Sequence, residues 1–159
     1  MSDAVGRHAV ALASVAQLAS RAGAQRVVLL VDEGETAGAT MIEWTGDGLE
    51  LTEAGVTEPV AAAAVAQVAP AVLPDVVPVP PTALTVDPDT GELAAPIGAL
   101  AGLAGAVVAL AAAFGGRSVA TAEFATRDPG HPFMLAARPG EAVIAQLGGA
   151  TFAFPEGWP

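Results

Sequence analysis

Residues 93–116, LAAPIGALAGLAGAVVALAAAFGG, carry no charged side chain. After Pro96 the run is long enough for about five helical turns, and Ala and Leu, which dominate it, head the helix-propensity scale. A segment this apolar has to be covered, so the rest of the chain must pack around it. Its length also meets the threshold for a membrane span, and Gly98 and Gly102 form a G-x-x-x-G pair of the kind used in membrane helix packing. Against a span stand Pro96 near its start and the lack of an aromatic belt or basic flank. The reading is a buried helix in a soluble protein, with Gly98, Gly102 and Gly105 marking close backbone approach to a sheet or a second helix.

A length of 159 residues fits one domain spanning residues 1–159 with a single core. Apolar residues make up 53% of the chain but aromatics only 4%, so that core must be built from Ala, Val and Leu in closely spaced layers. Cys, Lys, Tyr and Asn are absent, and all six basic residues are Arg. Lys, Tyr and Asn have AT-rich codons, so their absence points to a high-GC, bacterial genome. The net charge of −11 is spread along both halves and describes an acidic body, not an acidic tail. Such a surface repels phosphate backbones and anionic lipid, which argues against nucleic-acid and membrane partners. An N-terminal signal peptide is spoiled by Asp3, Ser14 and Gln17, leaving the cytoplasm as the expected compartment.

Apolar positions at Val5, Ala9, Leu12, Val15, Ala16 and Ala19 recur at spacings of three and four, which predicts an amphipathic helix over residues 5–22 closed by Gly23. RVVLLV at 26–31 is apolar at every position after Arg26 and reads as a central strand covered on both faces. Residues 39–45 form the next strand, with Met41 facing opposite to Ile42 and Trp44. The Gly46-Asp47-Gly48 turn leads into Leu49 to Thr52, whose alternation leaves one wet face. Thr57, Glu58 and Pro59 read as the first turn of a helix ending near Val68. Residues 69–96 hold seven of the thirteen prolines and read as an extended connector with an edge strand at 83–86. After the charge-free helix, segments 118–126, 133–137, 142–147 and 151–154 are separated by Pro-Gly and Gly-Gly turns, as antiparallel strands are.

The fold class is therefore α+β: antiparallel sheet with helices packed on one face. Sliding the chain on itself by 92 residues places Gly6, Val15, Leu18, Ala19 and Gly23 on Gly98, Val107, Leu110, Ala111 and Gly115. The order helix, glycine, strand, turn, strand, turn, strand then occurs twice, in residues 5–55 and 97–154. Two αβββ repeats, in sub-units 1–69 and 97–159 joined by the Pro-rich connector 70–96, are one account. A single unduplicated sheet of the profilin-like or sensor-domain kind is the other.

Absences limit the chemistry. Without Lys there is no Schiff base and no phosphate-binding loop of the usual type; without Cys there is no thiolate nucleophile and no Cys-based zinc site. No G-x-S-x-G occurs, and Ser2, Ser14, Ser20 and Ser118 have no nearby His in the sequence. His8 falls on the first helix as a half-exposed side chain, and two histidines alone make a poor metal site. Asp87, Asp89 and Glu92 read as a β-turn, because Gly91 takes the fifth position of what would be a calcium loop. No metal and no cofactor are expected.

If the chain is an enzyme, the site is His131 in RDPGHP with Asp128 or Glu123, a loop able to shuttle a proton. If it binds a small molecule, an apolar pocket walled by Trp44, Phe124, Phe133 and Met134, with Arg127 at its rim, is the expected place. Sparse chemistry, strong acidity and many apolar strands favour a third role, binding of a protein partner or self-association, as homodimer, adaptor, chaperone-like or immunity-like module. Small, acidic, strand-rich bacterial secretion chaperones share that general profile, though no motif carries the comparison.

Overall fold

The computed structural model describes residues 3–32, 39–68, 85–86, 93–94, 97–112, 118–124, 133–138, 143–147 and 150–153. Its helices are α1 (Asp3–Arg7), α2 (Ala9–Ala22), α3 (Ala62–Val68) and α4 (Ile97–Ala112). Its strands are β1 (Arg26–Asp32), β2 (Ala39–Thr45), β3 (Gly48–Glu53), β4 (Val56–Val60), β5 (Thr85–Val86), β6 (Leu93–Ala94), β7 (Ser118–Phe124), β8 (Phe133–Ala137), β9 (Ile144–Leu147) and β10 (Ala150–Ala153).

Eight strands form one antiparallel sheet in the order β10-β9-β8-β7-β1-β2-β3-β4. Two four-stranded meanders thus meet through their first strands, with Val27 opposite Ala122 and Leu29 opposite Ala120. The fold class is α+β, with helices on one face: α2 lies over β1 and β2, α4 lies over β7 and β8, and the two helices touch. β5 and β6 pair separately from this sheet, so the edge strand expected at 83–86 is not part of it. The remainder of the connector lies outside the described residues.

Local sequence explains most boundaries. Gly23 takes φ 71 and ψ 32, and the Ala24 amide donates to the Ala19 carbonyl, closing α2 with a left-handed residue that favours Gly. His8 interrupts the first helix, yet its amide still donates to the Ala4 carbonyl and its own carbonyl accepts from the Leu12 amide, so the hydrogen-bond ladder continues through the break. The β3–β4 hairpin turns on Ala54 and Gly55, both at positive φ (53 and 78), as a two-residue type I′ turn requires.

β4 corrects the expectation of a helix starting at Thr57. Counting back from the turn, Glu53 and Val56 are the hydrogen-bonded pair, so Thr57 and Pro59 occupy the alternate positions whose backbone points away from β3. Pro59 therefore breaks no ladder bond, and by lacking an amide it blunts the edge of the sheet. The helix begins only at Ala62.

Between sheet and helices the core is built from small aliphatic side chains: Leu12, Val15 and Leu18 of α2, Val107 and Leu110 of α4, and Val27, Leu29, Ile42 and Leu51 beneath them. The Phe124 and Phe133 rings join it at one end, opposite each other in register with centroids 6.1 Å apart. The charge-free run is a buried helix where its side chains are described, since Ala106, Val107, Leu110 and Ala111 are fully buried. Among the described residues no helix is long and apolar enough to cross a membrane.

Two expectations change. A Cβ added at Gly105 would meet nothing within 4 Å, so this glycine does not mark close approach. Gly105→Ala is expected to stabilise the protein by about 1 kcal/mol, the helix-propensity difference between the two residues; a thermal midpoint that falls would show that the space is filled. The gap-free shift of 92 residues also fails in the strands. It matches the helix faces, setting buried Val15, Leu18 and Ala19 on buried Val107, Leu110 and Ala111, but sets buried Val27 on Val119, which points to the other side of the sheet. Side chains alternate with period two, so only an odd shift keeps facing in β1 and β7.

Candidate functional site

Pairing fixes which side chains share the uncovered side of the sheet. Helices cover the face of Val27, Leu29, Ile42, Ala120 and Ala122. The opposite face carries Arg26, Val28 and Leu30 of β1, Met41 and Glu43 of β2, Glu50 of β3, Val119, Thr121 and Glu123 of β7, Met134 and Ala136 of β8, and Ile144 of β9. On it Leu30 is 38% exposed and Ile144 is 36% exposed, near the centre and toward one side, and Val28, Met41, Val119 and Met134 are half-buried. The strand RVVLLV is therefore central but covered on one face only, against the expectation of cover on both.

Antiparallel sheets with one wet face ordinarily place polar residues there. β3 does so with Glu50 and Thr52, and these residues alternate with buried Leu49 and Leu51. The middle strands do so less, because Met41, Leu30 and Val119 form an apolar row with Val28 beside it, while Thr121 and Glu123 separate these from Ala136 and Met134. At one end of this patch lies a charged group. The Arg26 Nη2 and Nε atoms donate to Glu43 Oε2 at 2.6 and 2.8 Å, while Arg26 Nη1 stands 3.9 Å from Glu123 Oε2.

A second polar cluster joins α1 and α2 to the end of β3. The Glu53 carboxylate accepts from Arg7 Nη2 and lies 2.6 Å from His8 Nε2. The hydrogen bond from His8 is the main cause holding Glu53 below its ordinary carboxylate value of 4.5; partial desolvation opposes it, and Arg7 adds to the lowering. The consequence is a pH dependence of known sign. A carboxyl with a lowered folded-state pKa contributes stability that is present above about pH 4.5 and is lost as pH falls through the folded value. Glu53→Gln is expected to be less stable than the parent at pH 7 and to converge with it in acid, as read by urea unfolding at both pH values. A stability difference that does not change with pH would contradict this assignment.

Neither cluster assembles a catalytic triad among the described residues. Ser118, Val31, Thr40 and Glu53 lie in one register row across four neighbouring strands. At about 4.8 Å per strand, Ser118 is about 14 Å from Glu53, far beyond reach of the His8 ring that Glu53 holds. The Ser118 hydroxyl is buried with no hydrogen-bond partner among the described residues. No group of three metal-ligating side chains occurs among them either.

The residues singled out from sequence separate. Phe124 and Phe133 are buried on the helix-covered face, and Trp44 packs there half-buried against the core. Met134 follows Phe133 directly in β8 and so points to the opposite face. These four side chains do not wall one pocket. Glu123 is on the open face beside Arg26, whereas Arg127, Asp128 and His131 lie outside the described residues, as do Asp87, Asp89 and Glu92. A pocket of about 240 Å³ lined by Val5, Glu58, Pro59, Val60, Ala61, Ala64 and Val65 sits where α1, β4 and α3 meet. It contains none of the residues singled out from sequence.

Arg26, Glu43 and Glu53 belong to no motif that marks them as a site in the sequence. For the first two, a signal exists in the facing of Met41 against Ile42: it puts Glu43 on Met41's side, and one more pairing step sets it beside Arg26. The chain has no significant match among protein-family models, curated proteins or solved structures. Function therefore rests on this geometry alone.

Proposed function

We propose that this chain acts by binding another protein through the open face of its sheet, as a non-catalytic module. The observation that supports the reading most is the apolar row of Met41, Leu30 and Val119, with Val28 beside it, across the central strands of the sheet. Contiguous apolar surface of this kind marks interaction sites, since in isolation it favours aggregation. The chain's high negative charge keeps such a surface soluble between encounters. The same proposal places the protein in the cytoplasm, because Asp3, Ser14 and Gln17 spoil a signal-peptide pattern, and in a high-GC bacterium, on the strength of its lack of Lys, Asn and Tyr.

A photo-crosslinking residue at position 30, compared in cells with one at Val10 on the exposed side of α2, tests the reading. A discrete crosslinked species from position 30 and none from position 10 is expected. No adduct from either, or the same adducts from both, would refute a dedicated binding face. A small-ligand sensor has less support, because Met134 points away from Phe124 and Phe133, so the side chains expected to wall its pocket do not share one face.

A further inference from the structure

Resting on the binding role proposed for the open face, we infer that its partner is a basic, amphipathic protein segment: apolar side chains over Val28 and Leu30, with Arg or Lys reaching the carboxylates beside them. Register places Glu43 directly opposite Glu50 on the same face of β2 and β3. Like charges in direct cross-strand opposition destabilise a sheet. Arg26 offsets only part of this, since it is hydrogen-bonded to Glu43 and reaches Glu123, on its other side, only at 3.9 Å. Among the described residues this end of the face thus sets three carboxylates against one guanidinium, and Arg138, which follows β8, lies toward the other end of the strands.

A cation arriving between Glu50 and Glu43, or against Glu123, relieves repulsion that the free protein carries. The neighbouring apolar rows supply the contact area that a point charge lacks. A second copy of the chain fits less well: it brings the same carboxylates and a net charge of −11, so approach is repulsive. Nucleic acid is excluded by the same sign.

Fluorescence anisotropy with three synthetic probes tests this: an alternating Val-Arg peptide, an amphipathic Leu-Lys helix, and an alternating Val-Glu peptide as the charge-reversed control. At least one basic probe is expected to bind the parent protein, and Glu50→Gln with Glu123→Gln, which leaves the Arg26–Glu43 pair in place, is expected to weaken it about tenfold. Asp3→Asn with Glu58→Gln, on α1 and on the helix-covered side of β4, removes the same charge away from this end of the face and is expected to leave affinity unchanged. Equal weakening by both pairs would reduce the effect to diffuse attraction and overturn the inference, as would equal binding of the Val-Glu peptide. A dimer in light scattering that Leu30→Glu abolishes would show that a second copy takes the face, which also overturns it. Crosslinking at position 30 combined with any of these results removes the basic partner and keeps the binding face; absence of crosslinking removes the binding face itself.

Discussion

Phe133→Ala is expected to lower the free energy of unfolding by about 3–5 kcal/mol, whereas Met134→Ala, one residue further along the same strand, is expected to change it by no more than about 1 kcal/mol. The two side chains have similar bulk and the same local sequence. What separates them is the pleat: Phe133 is fully buried beneath α4, in contact with Phe124, and Met134 stands half-exposed on the other face. Truncating Phe133 removes a large apolar surface and leaves a cavity in a core of Ala, Val and Leu, whose short side chains cannot swing in to fill it. For a domain with a total stability of about 5–15 kcal/mol that loss is severe. Urea unfolding of both variants measures it, and equal effects would mean that both faces of β8 are covered.

The second large effect comes from a charge placed on β1. Leu29→Asp is expected to abolish folding or nearly so, because Leu29 is fully buried between Ile42 and Ala120, where an unpaired carboxylate has no partner and no water. Leu30→Asp is expected to retain the native circular dichroism spectrum and to lose about 1 kcal/mol, the range of strand propensity, since its side chain meets solvent. It is also expected to lose the partner captured through position 30. The two variants have the same composition and charge, so any difference between them reads the facing of β1 alone. If Leu30→Asp also fails to fold, the open face is covered.

Much of this architecture is legible in the order of the residues. Period-three-and-four spacing locates the first helix, Gly23 its end, and the alternation of Leu49, Glu50, Leu51 and Thr52 a hairpin with one wet face. The four strands after the charge-free helix lie close to their expected limits, because Pro-Gly and Gly-Gly pairs in the sequence bracket them. β4 escapes such a reading for a physical reason: Thr-Glu-Pro is as good a helix start as it is an edge strand, and only the register with β3 shows that Pro59 points outward.

RVVLLV is equally ambiguous. An unbroken apolar run says that a strand is central, and it does not say whether the second face is closed by the same chain or by another. The polar clusters are harder still. Glu53 meets His8 and Arg7 only because β3 ends below the junction of α1 and α2, and Arg26 meets Glu43 and Glu123 only because three strands align. Such contacts belong to the tertiary arrangement and not to the local sequence.

The central claim is that one face of the sheet is core and the other is open, and the methionines report on it directly. Met41 and Met134 both lie on the open face, and the same two residues in the urea-unfolded protein give the reference for fully exposed side chains. Peroxide oxidation of the purified, folded protein, followed by peptide mass spectrometry, reads their exposure. An open face predicts that Met41 and Met134 both convert to the sulfoxide under native conditions; reaction of the two only in denaturant would contradict it.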